Sequence, residues 1–177
     1  MGCGKTTVSG LLARQLGWRF EDLDARIEQA TGLSIPAIFE QMGEPGFRNM
    51  EVKQLEAALG QAAESREPLI LALGGGTYAQ PGNAERLRAA GAVVIWLDCP
   101  VELLLSRCAT MTNRPLFRDE PSFRSLLAAR LPFYAQADHR VAGGGEPGRI
   151  VEEILALPSL QRLIGMRDGF PLPQVKR

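Results

Sequence analysis

Two short, continuously apolar runs stand out along the chain. Leu69-Ile70-Leu71-Ala72-Leu73 is stopped by Gly74-Gly75-Gly76, and Val93-Val94-Ile95-Trp96-Leu97 is stopped by Asp98-Cys99-Pro100. Each has the length of a strand and no polar alternation, as a strand buried on both faces requires. Elsewhere the apolar residues recur at helical spacing. Thr6 to Leu16 carries Val8, Leu11, Leu12 and Leu16 on one stripe and ends at Gly17, a C-cap position. Trp18 to Glu21 predicts a short strand leading into Asp22-Leu23-Asp24. Asp24 to about Thr31 predicts a helix closed by Gly32. Ser34 opens the next, with Pro36 in its first turn, where the missing N–H costs little, and Asn49 to Ala63 continues in helix formers. Further helices are expected over Gly82 to Ala90, Pro100 to Arg107, Pro121 to Ala135 and Gly148 to Leu157, with a last strand at His139 to Ala142. From Pro158 the pattern weakens, and Asp168 to Arg177 reads as a frayed tail. Strands separated by helices predict an α/β protein on a parallel sheet.

Composition narrows the picture. The 177 residues are 45% hydrophobic and 23% charged, which suits a single domain able to bury a core. Twenty basic and twenty acidic side chains cancel, so no broad basic field offers itself to nucleic acid or anionic lipid. The apolar runs fall far short of the roughly 20 residues a membrane helix needs. The start of the chain has no basic region followed by an apolar stretch, as a secretory leader would. Three cysteines, Cys3, Cys99 and Cys108, form no C-x-x-C pair; a cytoplasmic protein is expected rather than a disulfide scaffold. His139, the only histidine, is read as structural, and no carboxylate–histidine cluster supports a transition metal.

Gly2-Cys3-Gly4-Lys5-Thr6-Thr7 has the form of the end of a phosphate-binding loop, G-x-x-x-x-G-K-[ST]. Glycines let the backbone turn tightly enough for several N–H groups to converge on one anion. The helix that follows turns its positive dipole end to the same place. Lys5 would reach the β- and γ-phosphates, and the Thr6 hydroxyl would ligate Mg²⁺. A chance glycine turn before a helix is the alternative. The first glycine of the full motif would fall two positions upstream of Met1. A trimmed start is the expectation; otherwise the sheet lacks its central strand, exposing two neighbouring edges and leaving the loop unanchored. Asp22 and Asp24 stand at i and i+2 after a predicted strand, so on extended backbone both point to the ligand crevice. One could hold the metal and the other meet an acceptor hydroxyl, with helix N-capping as the competing use. Gly74-Gly75-Gly76 lets a ligand lie against backbone, or makes a sharp strand-to-helix turn. Arg48, Arg107, Arg114 and Arg130 stand singly, each either an anion fork or a solvated surface residue. Cys3 within the loop hints at oxidation sensitivity, or simply fills a position that takes a small residue.

Together these pieces resemble the shikimate kinase family, from Gly2 to about Leu157. The matching segments are GCGKTT, FEDLD, GLSIPAIFEQMGEPGFRNME, ALGGGT, VVIWLDCP, TNRPLF and RLPFYAQAD. The resemblance implies a three-layer P-loop kinase fold with a five-stranded parallel sheet, the first strand apparently missing here. A substrate-binding segment would cover about 24–57, a mobile lid about 110–120, and a C-terminal extension 158–177. It implies transfer of the γ-phosphoryl of ATP, with Mg²⁺, to the 3-hydroxyl of shikimate, in the route to chorismate and the aromatic amino acids. Gly2, Cys3, Gly4, Lys5, Thr6 and Thr7 would cradle the ATP phosphates, with Thr6 on the metal and Asp22 holding it through water. Asp24 would contact the shikimate hydroxyls as the candidate base. Arg48 and Arg130 would grip the substrate carboxylate, Glu51 would support that pocket, and Gly74, Gly75 and Gly76 would line it. Arg114 would swing from the lid onto the phosphates, and Arg107 would pack near the adenine. Gly143 to Pro147 falls where the family has its adenine loop; as GGGEP it offers backbone contacts only. A monomer taking a small-molecule substrate is expected.

Two other readings stay open on the sequence. Another small-molecule kinase of the superfamily, such as a gluconate kinase, would share the loop and sheet but need not carry both Arg48 and Arg130 flanking the glycine run. A non-catalytic nucleotide-binding homologue is the second; the intact set Lys5, Thr6, Asp24, Arg48, Arg114 and Arg130 speaks against it.

Overall fold

The computed structural model describes residues 2–109 and 119–165. In chain order the elements are α1 (Lys5–Leu16), β1 (Arg19–Asp22), α2 (Leu23–Thr31), α3 (Ile35–Ser65), β2 (Leu69–Ala72), α4 (Asn83–Ala89), β3 (Ile95–Asp98), α5 (Val101–Ala109), α6 (Glu120–Tyr134), β4 (His139–Ala142), α7 (Pro147–Leu155) and α8 (Pro158–Gly165). Local signals place most boundaries. Gly17 and Gly32 adopt left-handed φ of 65° and 68° and cap α1 and α2. The Ser34 side chain accepts from the Ala37 N–H, and the Asp119 side chain from the Ser122 N–H, closing the starts of α3 and α6. The helical stretch expected from Ser34 on through Asn49 to Ala63 is kinked at Gly43, whose φ of 65° and ψ of −178° are not helical. Pro45 restarts the helix where its lack of an N–H does no harm. The weakly patterned stretch after Pro158 forms α8, held by buried Leu160 against α1 and α7.

Among the described residues four strands form two separate parallel pairs, β1 with β2 and β3 with β4, the arrangement expected of the family's sheet without its first, central strand. Arg19 lies opposite Leu69 and Asp22 opposite Ala72; Ile95 lies opposite His139 and Asp98 opposite Ala142. β3 begins two residues later than expected. The Val94 N–H donates to the Asp138 carboxylate at 2.8 Å instead of joining a ladder. β2 and β3 both line a cavity of about 490 Å³ that separates the two pairs.

Three apolar clusters fix the elements around this frame. Val8 and Leu12 of α1 pack with Val141, Ile150, Val151 and Ile154. Each such side chain contributes about 1.5–3 kcal/mol when fully buried. Leu23, Ile27, Ile38 and Leu55, all at 0% exposure, lock α2 to α3 beside Tyr78 and Leu87. Cys99, Leu104, Cys108 and Phe123 tie α5 and α6 to the end of β3, with Cys3 packed on them. The carboxyl ends of both strand pairs therefore meet one loop: Asp22 ends β1 and accepts from Thr6, while Cys99 follows β3 and reaches Cys3. That is where open parallel sheets bind ligands.

Candidate active site

The loop Gly2–Gly4 is shaped by left-handed glycines, with φ of 72° at Gly2 and 84° at Gly4. It is anchored from two sides. Arg107 Nη1 donates to the Gly2 carbonyl at 3.1 Å, and Cys99 Sγ donates to the Cys3 carbonyl at 3.7 Å. Arg107, expected near the adenine, thus bears on the loop itself. The loop opens directly into α1, whose first turn holds no acidic residue to offset the positive end of the dipole. Backbone N–H groups, Lys5 and the helix terminus together make an anion cradle. The Thr6 hydroxyl donates to Asp22 Oδ2 at 2.7 Å, so the two candidate metal residues sit side by side. A hydroxyl and a carboxylate are hard oxygen donors, few in number, which fits Mg²⁺, an ion that keeps several waters and phosphate oxygens. Among the described residues no cluster of three or more His, Cys, Asp or Glu competes for a metal.

Asp24 is not on extended backbone beside Asp22, as the i, i+2 reading expected. Asp22 ends β1 and caps α2, accepting from the Asp24 N–H at 3.0 Å and the Ala25 N–H at 3.5 Å; Asp24 is in the first helical turn. The capping use and the ligand-facing position coexist at Asp22. The Asp24 carboxylate turns instead to the glycine run. A methyl group built on Gly74 would meet Thr77 Oγ1 at 2.9 Å and both Asp24 Oδ1 and Glu51 Oε1 at 3.0 Å. One built on Gly76 would meet Arg48 Nη1 at 2.6 Å, Arg48 Nη2 at 2.7 Å and Arg130 Nη2 at 2.9 Å. The glycine run is therefore hemmed by an acidic end at Gly74 and a two-arginine end at Gly76.

A buried network sets these side chains. Glu51, at 0% exposure, accepts from Arg48 Nη1 at 2.5 Å and from the Thr77 hydroxyl at 2.6 Å. Glu44, half exposed one helical turn before Arg48, accepts from its Nε at 3.1 Å and its Nη2 at 2.8 Å. Thr77 is fixed in turn: its N–H donates to the Gly74 carbonyl, and its own carbonyl accepts from the Asn83 side chain at 2.8 Å. Arg130 hydrogen-bonds Tyr134 one turn along α6, and the Tyr134 hydroxyl donates to the Gly75 carbonyl. Burial pushes the Tyr134 phenol up, so it remains a donor. Thr77, Tyr134 and Glu44 were not singled out in the sequence. The i, i+4 spacing of Glu44 to Arg48 and of Arg130 to Tyr134 was the available signal; Thr77 had none beyond following the glycines.

Arg114, and with it Thr110 to Arg118 of the expected lid, lies outside the described residues. Gly143 follows β4, and its N–H donates to the Asp98 carbonyl at 2.7 Å. A methyl there would strike Cys99 Sγ at 2.6 Å. His139 bonds the Ser159 hydroxyl at 2.6 Å, away from these groups and in keeping with a structural part. Lys5, Gly74 and Gly75 border the cavity between the two strand pairs, so the anion cradle and the glycine run open from the same gap in the sheet.

A two-arginine pocket next to a phosphate loop separates this arrangement from a generic nucleotide binder, and the comparisons with known proteins agree. The sequence profile of shikimate kinase matches residues 1–157. The chain belongs to the shikimate kinase family. A shikimate kinase of Synechococcus sp. is 44% identical, over 98% of this chain and 86% of that one. The solved shikimate kinase of Acinetobacter baumannii in complex with shikimate is 38% identical and superposes with a TM-score of 0.81 over 95% of this chain and 90% of that one. A gluconokinase from Sinorhizobium meliloti shares the fold at a TM-score of 0.56 but is 20% identical. The shikimate kinase fold of α/β P-loop type is thereby established, and with it the family's use of ATP and Mg²⁺. No helix among the described residues is long and apolar enough to cross a membrane.

Proposed function

We infer that this chain transfers the γ-phosphoryl group of ATP to the 3-hydroxyl of shikimate. The observation that carries the reading is the convergence of the Arg48 and Arg130 guanidiniums on Gly76 while the Asp24 carboxylate meets Gly74 at the other end of the same three-residue run. Two planar donor forks suit a carboxylate, and a carboxylate suits a hydroxyl. A small hydroxylated acid held across Gly74–Gly76 turns its acid group to the arginines and a hydroxyl to Asp24, facing the phosphate loop.

Phosphoryl transfer asks mainly for positioning and for cations around a transition state whose charge spreads over the phosphoryl oxygens. Gly2, Cys3, Gly4, Thr6 and Thr7 wrap the phosphates with backbone donors, and Lys5 places its ammonium on them. Thr6 and Asp22 would hold Mg²⁺, which supplies further neutralisation of phosphate charge when bound. Asp24 orients the attacking hydroxyl and accepts its proton. Glu51 fixes the Arg48 fork from behind, and Tyr134 braces Arg130 and the Gly75 peptide. Arg107 holds the loop, and Arg114 would add charge from the lid over about 110–120, which also excludes water. The adenine end falls to the backbone of Gly143 to Pro147. The family segment 1–157, with its acceptor part at about 24–57, forms the kinase unit, and 158–177 is an extension of it. A cytoplasmic, monomeric enzyme with a small-molecule partner, and neither nucleic acid nor membrane, completes the reading; balanced charge and the absence of paired C-x-x-C cysteines support it.

The test is shikimate-dependent ADP release with Mg²⁺, with gluconate as the control acceptor. Turnover with shikimate and none with gluconate is expected. Turnover with gluconate, or with neither acceptor, overturns the reading.

A further inference from the structure

All three cysteines gather at one place although they are distant in sequence. Cys3 lies in the phosphate loop, Cys99 follows β3, and Cys108 is in α5; the last two share an apolar cluster on which Cys3 packs. Cys3 and Cys99 are the closer couple. The Cys99 thiol hydrogen-bonds the Cys3 side chain as well as the Cys3 carbonyl, where the distance is 3.7 Å. The Cys99 sulfur packs against Gly143, where even a methyl group would come within 2.6 Å of it. Cys108, fully buried, sits instead behind Gly2.

The environment divides the two sulfurs between distinct parts. Cys3 is half-buried within the loop, packed on the cluster that holds Cys99. The hydrogen bond from Cys99, reinforced by the Lys5 ammonium at the start of α1, holds the Cys3 thiol below its usual range and favours its thiolate. Cys99 is pushed up, first by donating to Cys3 and then by burial, so it waits as the protonated partner. That is the arrangement of an attacking thiol beside a resolving one.

We propose that Cys3 and Cys99 form a peroxide-driven disulfide that cross-links the phosphate loop to the end of β3 and switches nucleotide binding off. The Cys3 thiolate attacks one oxygen of hydrogen peroxide; the O–O bond breaks, and Cys3 becomes a sulfenic acid as hydroxide leaves. The neutral sulfenic acid no longer holds the Cys99 proton, which passes to that hydroxide to give water. The Cys99 sulfur then attacks the Cys3 sulfur and expels the second hydroxide, which leaves as water once protonated by solvent. Two thiols are oxidised by two electrons and one peroxide is reduced to two waters. The bond replaces the hydrogen bond from Cys99 to the Cys3 carbonyl, so the loop loses one of its two anchors and its peptide groups leave the positions that cradle phosphate. The loss of binding rests on Gly2–Thr7 being the nucleotide loop; formation of the bond does not.

The experiment treats the 177-residue protein with hydrogen peroxide, maps disulfides by mass spectrometry of unreduced peptides, and follows shikimate-dependent turnover before and after dithiothreitol. Expected are loss of two hydrogens, a Cys3–Cys99 peptide, one remaining titratable thiol, and at least a tenfold fall in turnover that dithiothreitol reverses. Saturating ATP with Mg²⁺ should slow the oxidation. Cys99→Ser, whatever its own starting rate, should form no disulfide and stop at a Cys3 sulfenic acid that dimedone traps; Cys108→Ser should still form the Cys3–Cys99 bond. Three thiols still titrating, a disulfide through Cys108, or a Cys3–Cys99 bond that leaves turnover unchanged would each overturn the proposal. If the reduced protein shows no turnover, the kinase reading fails, and the peptide map still decides whether the bond forms.

Discussion

Gly76→Ala isolates the two-arginine end of the site. The added methyl would lie 2.6 and 2.7 Å from the Arg48 guanidinium nitrogens and 2.9 Å from Arg130 Nη2, roughly 0.8 Å inside the 3.4 Å at which ordinary van der Waals contact begins. The atoms it strikes are the far ends of flexible side chains, so the fold can yield by moving them. Gly76 is also absent from the positive-φ glycines, so alanine brings no backbone strain. Because moving Arg48 loosens its hold on buried Glu51, stability should fall by about 1–3 kcal/mol, short of unfolding. Both forks, however, are pushed off the point where they converge. Losing one charge-assisted bidentate contact to a carboxylate costs about 1.5–3 kcal/mol, or roughly tenfold to a hundredfold in affinity. The KM for shikimate should therefore rise by that factor while kcat changes much less, because Asp24 and the phosphate loop lie elsewhere. Gly74→Ala provides the contrast: its methyl meets Asp24, Glu51 and Thr77, so kcat should fall. The assay is initial-rate ADP release over a shikimate titration, beside a thermal melt of each variant. An unchanged KM in Gly76→Ala, or a loss explained by unfolding, would refute the assignment of the arginines.

Three further substitutions probe the surrounding network. Glu44→Gln removes the half-exposed carboxylate that occupies Nε and Nη2 of Arg48, a competitor of the substrate acid worth up to about 1 kcal/mol; shikimate KM should fall a few-fold, and a rise would contradict this. Thr77→Val keeps shape but strips buried Glu51 of a hydroxyl donor at 2.6 Å, so calorimetry should show about 1–3 kcal/mol less stability. Asp24→Asn should lower kcat by about 10²–10⁴ if Asp24 takes the proton. Its melting temperature should stay close to that of the parent, since Asp22 and not Asp24 caps α2.

Much of the local structure was legible in the chain because its causes are local. Gly17, Gly32 and Ser34 end or start helices through their own conformations and side chains, and those boundaries agree with the pattern. The loop glycines and Lys5 were readable because anion binding there depends on backbone geometry that few residues besides glycine permit. Arg48 and Glu51 stand three residues apart on one helix, so their contact too has a sequence signal. Other features were not legible, because they arise between segments far apart in the chain. Nothing near residue 77 says that Thr77 will donate to Glu51, 26 positions away, and nothing near Arg107 says that it will grip Gly2, 105 positions away. The setting of Asp24 differs from the strand reading because β1 ends at Asp22 and the helix begins at Leu23, and a helical turn sends a side chain elsewhere than a strand does. The sequence by itself determined the helix limits, the anion loop and the charges available to the site. Only the tertiary structure decided that two arginines from α3 and α6 converge on one glycine and that Cys3 meets Cys99. Those contacts depend on how helices pack across apolar clusters, and packing is a property of the whole chain that no local window contains.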